Sequence, residues 1–260
     1  MSEWNAAEYH RVSGPQFSWG LKVLDRLDLA GVERVIDAGC GSGRLTGALL
    51  DRWPEGTLVA LDRSRNMLEQ ARAHLAPRHG SRVHFVQVAL PGMPVAGWAD
   101  VIFSTATFHW VLDHPALFRN LRIALRPGGR LHAQCGGGPN LAEAHALAEQ
   151  VMAQPIFAPY FTGWRGPWEF ASAEQAAARL AEAGFTAIET SLEPAPTVLE
   201  SETAYRDFVT TVNFQPHLAR LPQGPLRQRF IDDVTALSAR ASVPFQLDYW
   251  RLNLHAQRPR

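Results

Sequence analysis

Residues 33–46 read ERVIDAGCGSGRLT. Gly39, Gly41 and Gly43 alternate with small residues just after an apolar run that contains Val35-Ile36. Glycine inside a strand or helix is destabilising by roughly 0.5–1 kcal/mol relative to alanine. Its concentration here marks a tight turn, or a place where something must approach the backbone. A loop that ends a strand and opens a helix can hold a ligand against its backbone, with the helix N-terminus supplying unpaired N–H groups and partial positive charge. The alternative reading is a strand–helix turn with no ligand.

Spacing narrows the ligand. A P-loop requires Gly-Lys-Ser/Thr at its end, which is absent, and the dinucleotide pattern G-x-G-x-x-G fails at Arg44 when counted from Gly39 and at Thr46 when counted from Gly41. What stands instead is Asp37-x-Gly39-x-Gly41-x-Gly43. A carboxylate before the first glycine suits a cationic group, such as an amino acid ammonium, better than a pyrophosphate. A second acid, Asp62, closes the next apolar run, Leu58-Val59-Ala60-Leu61. A carboxylate in that place accepts the hydroxyls of a ribose. Its structural alternative is a helix N-cap, for which Ser64 is better placed.

Outward from the loop, short apolar runs alternate with helical patterns through residues 20–190. Val83–Val88, Val101–Phe103 and Arg130–Ala133 read as further strands. Two-sided apolar strands between helices predict an α/β fold with a parallel sheet covered on both faces. Asp113 is placed to cap a helix whose stripe is Leu117, Phe118, Leu121 and Leu125, stopped by Pro127-Gly128-Gly129. Ser172 and Gln175 form a capping box for another, ended by Gly184. Ala187–Leu192 is strand-like, residues 200–243 read as helical despite three prolines, and Phe245–Leu254 (FQLDYWRLNL) alternates like a strand. The expectation is one domain over residues 1–260, with an N-terminal lid at 1–25 and cap insertions at 136–170 and 200–243.

The chain has 260 residues, 46% of them hydrophobic, which allows a substantial core. Acids and bases balance at 25 each, which gives no electrostatic footprint for nucleic acid. Two cysteines, Cys40 and Cys135, with no CxxC, argue against a structural zinc site or a disulfide framework. The polar start MSEWNAAEYHRVSG has no apolar signal region, and no 18-residue apolar run exists. These features predict a cytoplasmic chain with no membrane, nucleic-acid or metal partner.

The order and spacing of VIDAGCGSG, LDRSRNMLEQAR, ADVIFSTATFHWVLD and ALRPGGRL over residues 30–135 resemble the class I S-adenosylmethionine-dependent methyltransferases. The resemblance implies a Rossmann-like, seven-stranded, mostly parallel sheet with an antiparallel last strand, FQLDYWRLNL. It implies S-adenosylmethionine as cofactor and S-adenosylhomocysteine as product. Asp37, Gly39, Cys40 and Gly41 would line the methionine part, Cys40 through its backbone. Asp62 would hold the ribose, while Arg63 and Met67 would flank the adenine. Tyr9 and Ser104 are carried over as further cofactor contacts. The family often has an acid after the third strand, where this chain has Ala89, so the adenine would rely on the Leu90 N–H and apolar packing. A catalytically silent relative is one alternative; an NAD(P)-dependent oxidoreductase, disfavoured by the failed G-x-G-x-x-G, is another.

The stretch WNAAEYHRVSGPQFSWG is similar to the N-terminal lid of small-acid carboxyl methyltransferases of the trans-aconitate and juvenile hormone acid type. The resemblance implies O-methylation of a carboxyl group on a small molecule, with Gln16 and Trp110 donating hydrogen bonds to the substrate. Methylation of another small-molecule oxygen, nitrogen or carbon is the runner-up. His109 is either a general base for a phenolic acceptor or a hydrogen-bonded structural residue. Phe157, Tyr160, Phe161, Trp164, Trp168 and Phe170 either line an acceptor pocket or cement the cap. The sequence does not fix the oligomeric state.

Overall fold

Alternation of side chains along each strand sorts the apolar runs onto two faces, and the computed structural model, which describes residues 14–93 and 95–260, shows both faces covered. Its strands are β1 (Arg34–Ala38), β2 (Thr57–Asp62), β3 (Val83–Gln87), β4 (Ala99–Thr105), β5 (Leu125–Gly136), β6 (Thr186–Pro194), β7 (Thr197–Val198), β8 (Gln246–Leu247) and β9 (Trp250–Gln257). Seven of them form one sheet in the order β3-β2-β1-β4-β5-β9-β6. The pairings from β3 through β5 are parallel, and β9 runs antiparallel to β5. This is the Rossmann-like sheet that the sequence implies.

The residues fall into two compact units. The first holds the sheet and, within the described residues, comprises 14–138, Trp168–Glu193 and Arg251–Arg260. On one face, Ile36, Ala38 and Ile102 pack with Leu117, Phe118 and Leu121 of the helix His114–Ala124 and with Leu180 of the helix Ala173–Glu182. On the other, Val35, Val101 and Phe103 pack with Val23, Leu49 and Leu75 from the helices Gly14–Leu24, Arg44–Arg52 and Arg65–His79. The anticipated caps form. The Ala116 N–H donates to Asp113 at 2.8 Å, Ser172 and Gln175 make the reciprocal capping box, and the Met67 N–H donates to Ser64.

Two boundaries differ from the sequence reading. The helix after Asp113 ends at Ala124, before Pro127-Gly128-Gly129. Leu125 already pairs with Ala99, and the ladder resumes at Val101 with Arg130, so residues 126–129 form an excursion within β5. The run Phe245–Leu254 is not one strand. It breaks at Asp248, whose carboxylate accepts the N–H groups of Glu143 and Ala144 at the start of the helix Ala142–Met152, and whose carbonyl accepts from Leu141. Capping a helix remote in sequence outweighs strand continuation at that residue.

The second unit comprises Pro139–Pro167 and Pro194–Trp250. Its helices include Glu202–Phe208, Gln215–Leu218 and Pro225–Ser238, with a π-turn at Val209–Asn213. Pro216 and Pro225 sit in first turns, where the missing N–H is tolerated. Around Phe230 and the buried His217 gather Phe157, Phe161 and Phe214, with Trp164 against His217 at 4.7 Å. No helix among the described residues is long and apolar enough to cross a membrane.

Candidate functional site

The strand order reverses between β1 and β4, and the crevice beyond their carboxyl ends is where open α/β sheets bind ligands. Two segments meet there: the glycine loop after β1, and residues 106–110 after β4.

The three glycines have three separate reasons. All have positive φ: +86° at Gly39, +54° at Gly41 and +82° at Gly43. A Cβ at Gly39 would overlap the Thr107 side chain, whose hydroxyl donates to the Gly39 carbonyl at 3.2 Å. Gly43 lies against Leu75 and Ala71 of the helix Arg65–His79. Of the three, only at Gly41 would a Cβ meet no atom of the described residues within 4 Å. Among the described residues, Gly41 is therefore the loop glycine whose bare backbone is left open.

Four of the loop's N–H groups are engaged within the protein, which differs from the unpaired donors expected where a strand ends and a helix opens and agrees with the spacing that disfavours a pyrophosphate. Gly39 and Cys40 donate to the Leu61 carbonyl at 2.8 and 2.9 Å, Gly41 donates to Asp62 Oδ2 at 2.9 Å, and Gly43 donates to the Cys40 carbonyl. A pyrophosphate would find these donors engaged, and the failed dinucleotide pattern has this geometric counterpart.

Acidic groups dominate instead. Asp37 is buried in β1, and the Thr46 hydroxyl donates to its Oδ2 at 2.6 Å. Burial, reinforced by the charge of nearby Asp62, pushes the Asp37 carboxyl up to about 7. Burial also raises Asp62, although the N–H groups of Ser64 and Gly41 partly offset it. Those two bonds fix the Asp62 carboxylate at the end of β2. Met67 is buried on the next helix, Arg63 is exposed, and its carbonyl accepts from Gln87 Nε2. Ala89 is exposed and precedes a short 3₁₀ turn that begins at the buried Leu90. Ser104 is buried, and its hydroxyl donates to the Ala38 carbonyl at 2.6 Å, so its side chain braces β4 against β1. Tyr9 lies outside the described residues.

An open backbone at Gly41 beside fixed carboxylates fits a ligand with a cationic end and vicinal hydroxyls, which is the chemistry of S-adenosylmethionine. Among the described residues no group of three His, Cys, Asp or Glu side chains is placed to hold a metal ion.

The second segment carries Ala106 at φ +53°, a conformation disfavoured for a residue with a Cβ, followed by the 3₁₀ turn Phe108–Trp110. His109 Nδ1 accepts the Gly136 N–H at 3.2 Å. In the neutral ring the proton therefore sits on Nε2. Burial holds the His109 pKa well below the ordinary value, with the Arg251 charge adding to the effect. The Trp110 ring lies 5.0 Å from His109 and meets Trp168 edge-on, while Phe170 packs on His109 at 5.8 Å. Five of the six cap aromatics thus separate. Trp168 and Phe170 join the 108–110 turn, whereas Phe157, Phe161 and Trp164 belong to the His217 cluster of the other unit.

Gln16 stands in the first turn of the helix Gly14–Leu24, and its buried Oε1 finds no hydrogen-bond partner among the described residues. One turn later, the Trp19 ring carries the guanidinium of Arg251 at 4.7 Å, and Arg251 Nε reaches Gln134 Oε1 at 3.4 Å. Sequence reasoning misses Thr107, Arg251, His114, Glu169 and Arg179. Only Thr107 had a signal, its place between strand four and the FHW motif.

A family model described as a methyltransferase domain matches residues 35–129. A trans-aconitate 2-methyltransferase from Methylobacterium nodulans is 34% identical over 159 residues, 61% of this chain and 59% of that protein. The match thus spans about three fifths of that relative's length. The enzyme of the same name from Afipia carboxidovorans is 28% identical over 94% of this chain and 93% of its own. Among solved structures, a Haemonchus contortus phosphoethanolamine N-methyltransferase 2 in complex with S-adenosyl-L-methionine superposes with a TM-score of 0.64 at 17% identity, covering 98% of this chain and 57% of that one.

Proposed function

We propose that this chain, a class I S-adenosylmethionine-dependent methyltransferase similar to the trans-aconitate 2-methyltransferases, methylates a carboxylate oxygen of a small acid. When bound, S-adenosylmethionine supplies a methyl group on a sulfonium that is already activated. The protein's task is then approach geometry and exclusion of water. We assign the backbone of Gly39, Cys40 and Gly41 to cradle the methionyl part, and Asp37 to balance its ammonium. Asp62 accepts the ribose hydroxyls, and Arg63, Met67, Ala89 and Leu90 border the adenine. Gln16 and Trp110 donate to the acceptor carboxylate and aim one oxygen.

The observation that carries the carboxylate reading is the state of the two histidines at the 108–110 turn. His109 Nδ1 accepts from Gly136, while His114 lies between the Phe108 carbonyl and Arg179. Both lone pairs that could take a proton are engaged. A phenol, with a pKa near ~10, would profit from a base there, whereas a carboxylate, with a pKa near ~4, is already ionised and needs none. The names of the matched relatives point the same way. The test is turnover with S-adenosylmethionine across a panel of mono-, di- and tricarboxylic acids and phenols, with formation of S-adenosylhomocysteine and of a methyl ester as readouts. The acids should turn over and the phenols should not.

A further inference from the structure

The turn Phe108–Trp110 carries the acceptor-side residues of the proposed reaction, yet its own sequence holds it only weakly. It is a single 3₁₀ turn whose backbone closes with Trp110 N–H to Thr107 and Val111 N–H to Phe108. It follows a left-handed alanine. Further support comes from residues distant in sequence. Trp168-Glu169-Phe170 runs beside it, and each member makes one contact: Trp168 meets the Trp110 ring, the Glu169 N–H donates to the His109 carbonyl at 2.8 Å, and Phe170 packs on the His109 ring.

The side chains close a circuit. Glu169 Oε1 accepts from Arg179 Nη2 at 2.8 Å. Arg179 Nη1 lies 2.9 Å from His114 Nδ1. His114 Nε2 lies 3.1 Å from the Phe108 carbonyl. A guanidinium can only donate, so His114 Nδ1 accepts, the ring proton sits on Nε2, and Nε2–H donates to Phe108. One ion pair thus selects the histidine tautomer that grips the turn. Glu169 grips the next carbonyl through its own backbone.

We propose that Glu169, Arg179 and His114 form a positioning circuit that fixes the Phe108–Trp110 turn for acceptor turnover, a role that rests on the carboxyl-methylation reading above. The circuit touches neither substrate nor cofactor. It acts through the two carbonyls, because a shift of ~1 Å in a positioning group can lower a rate about 100-fold. The Arg179 and Glu169 side chains are partly exposed, so removing either leaves no fully buried charge.

The test compares the full-length protein with Arg179→Met, Glu169→Gln, His114→Leu and His114→Gln. Three quantities are read: kcat and KM for the acceptor acid, the thermal shift given by S-adenosylhomocysteine, and hydrogen exchange of residues 105–112 against residues 37–45. Arg179→Met and His114→Leu should lower kcat/KM for the acid by about 10- to 100-fold. Both should speed exchange at 105–112 and leave exchange at 37–45 and the thermal shift in place. Glutamine keeps a donor for the Phe108 carbonyl, so His114→Gln should recover most of the loss. Unchanged exchange at 105–112, or a thermal shift that falls in step with kcat/KM, would overturn the circuit. If the wild-type protein methylates no acid, the carboxyl reading fails, and the exchange comparison still decides whether the circuit holds the turn.

Discussion

The Gly136 N–H donates to Nδ1 of His109 at 3.2 Å, so the end of β5 determines which nitrogen of the ring carries the proton. A histidine held in this way anchors the turn through a neutral hydrogen bond. It has no lone pair left at Nδ1 to accept a proton from a nucleophile. His109→Asn, whose Oδ1 can replace Nδ1 as acceptor, should retain activity close to wild type. His109→Ala should lose less than about 100-fold, the lower end of what a general base contributes. A larger loss in both variants, with the fold intact by circular dichroism, would identify His109 as a base.

Gly39 and Gly41 should respond differently to alanine. Both are left-handed, so each variant carries backbone strain of roughly 1–2 kcal/mol. Gly39→Ala also collides with Thr107, whereas Gly41→Ala meets none of the described residues. Gly39→Ala should therefore show the larger fall in Tm. Gly41→Ala should lose the S-adenosylhomocysteine shift out of proportion to its own fall of several degrees, at roughly 2–4 °C per kcal/mol for a chain of this size. Equal effects on stability, with ligand binding preserved at Gly41, would show that no ligand lies on that backbone.

Asp37 links cofactor binding to pH. Its carboxyl is pushed up to about 7 from an ordinary value of 3.8. Without ligand, the stability linked to Asp37 is fully present below 3.8 and is lost as pH rises through about 7, because the buried charge is disfavoured. A ligand ammonium has the opposite preference and binds the ionised form. The Kd of S-adenosylhomocysteine should fall by up to about tenfold between pH 6 and pH 8, as a single group with a pKa near 7 ionises. Asp37→Asn should flatten that dependence. Calorimetric titration at several pH values checks both.

Aromatic residues of the expanded segments should divide by unit. Trp164 packs edge-on in the His217 cluster with Phe161, so Trp164→Ala should lower Tm and leave the acceptor KM within about twofold. Trp168 meets Trp110, so Trp168→Ala should raise the acceptor KM with a smaller effect on stability. Steady-state kinetics beside thermal melts separates the two outcomes, and the reverse pattern would place Trp164 in the acceptor pocket.

Much of the sheet unit is legible in the sequence because its signals are local. Aliphatic runs become β1 to β5, the Ser172–Gln175 box caps its helix, and Asp62 follows its strand as the spacing implies. What escapes the sequence depends on partners far along the chain. Asp248 looks like a polar position in an alternating strand until the helix at Ala142 is known to need its carboxylate. Pro127-Gly128-Gly129 reads as a helix stop, yet β5 absorbs it as an excursion because Leu125 already pairs with Ala99. The glycine loop reveals close approach, but not that Leu61 and Asp62 take its N–H groups. Glu169, Arg179 and His114 each look like an ordinary surface or helix-start residue. Only the fold brings residues 55 to 65 positions apart into one hydrogen-bonded chain.

The most direct test of the central claim is the product itself. The purified protein is incubated with S-adenosylmethionine carrying an isotopically labelled methyl group and with a small tricarboxylic acid, and the acid is recovered for mass spectrometry before and after mild base. The account predicts a singly methylated acid that loses its label as methanol in base, together with one S-adenosylhomocysteine per ester. A labelled product stable to base would contradict transfer to a carboxylate oxygen. An unlabelled acid, in a protein that still shows a thermal shift with S-adenosylhomocysteine, would contradict the acceptor class altogether.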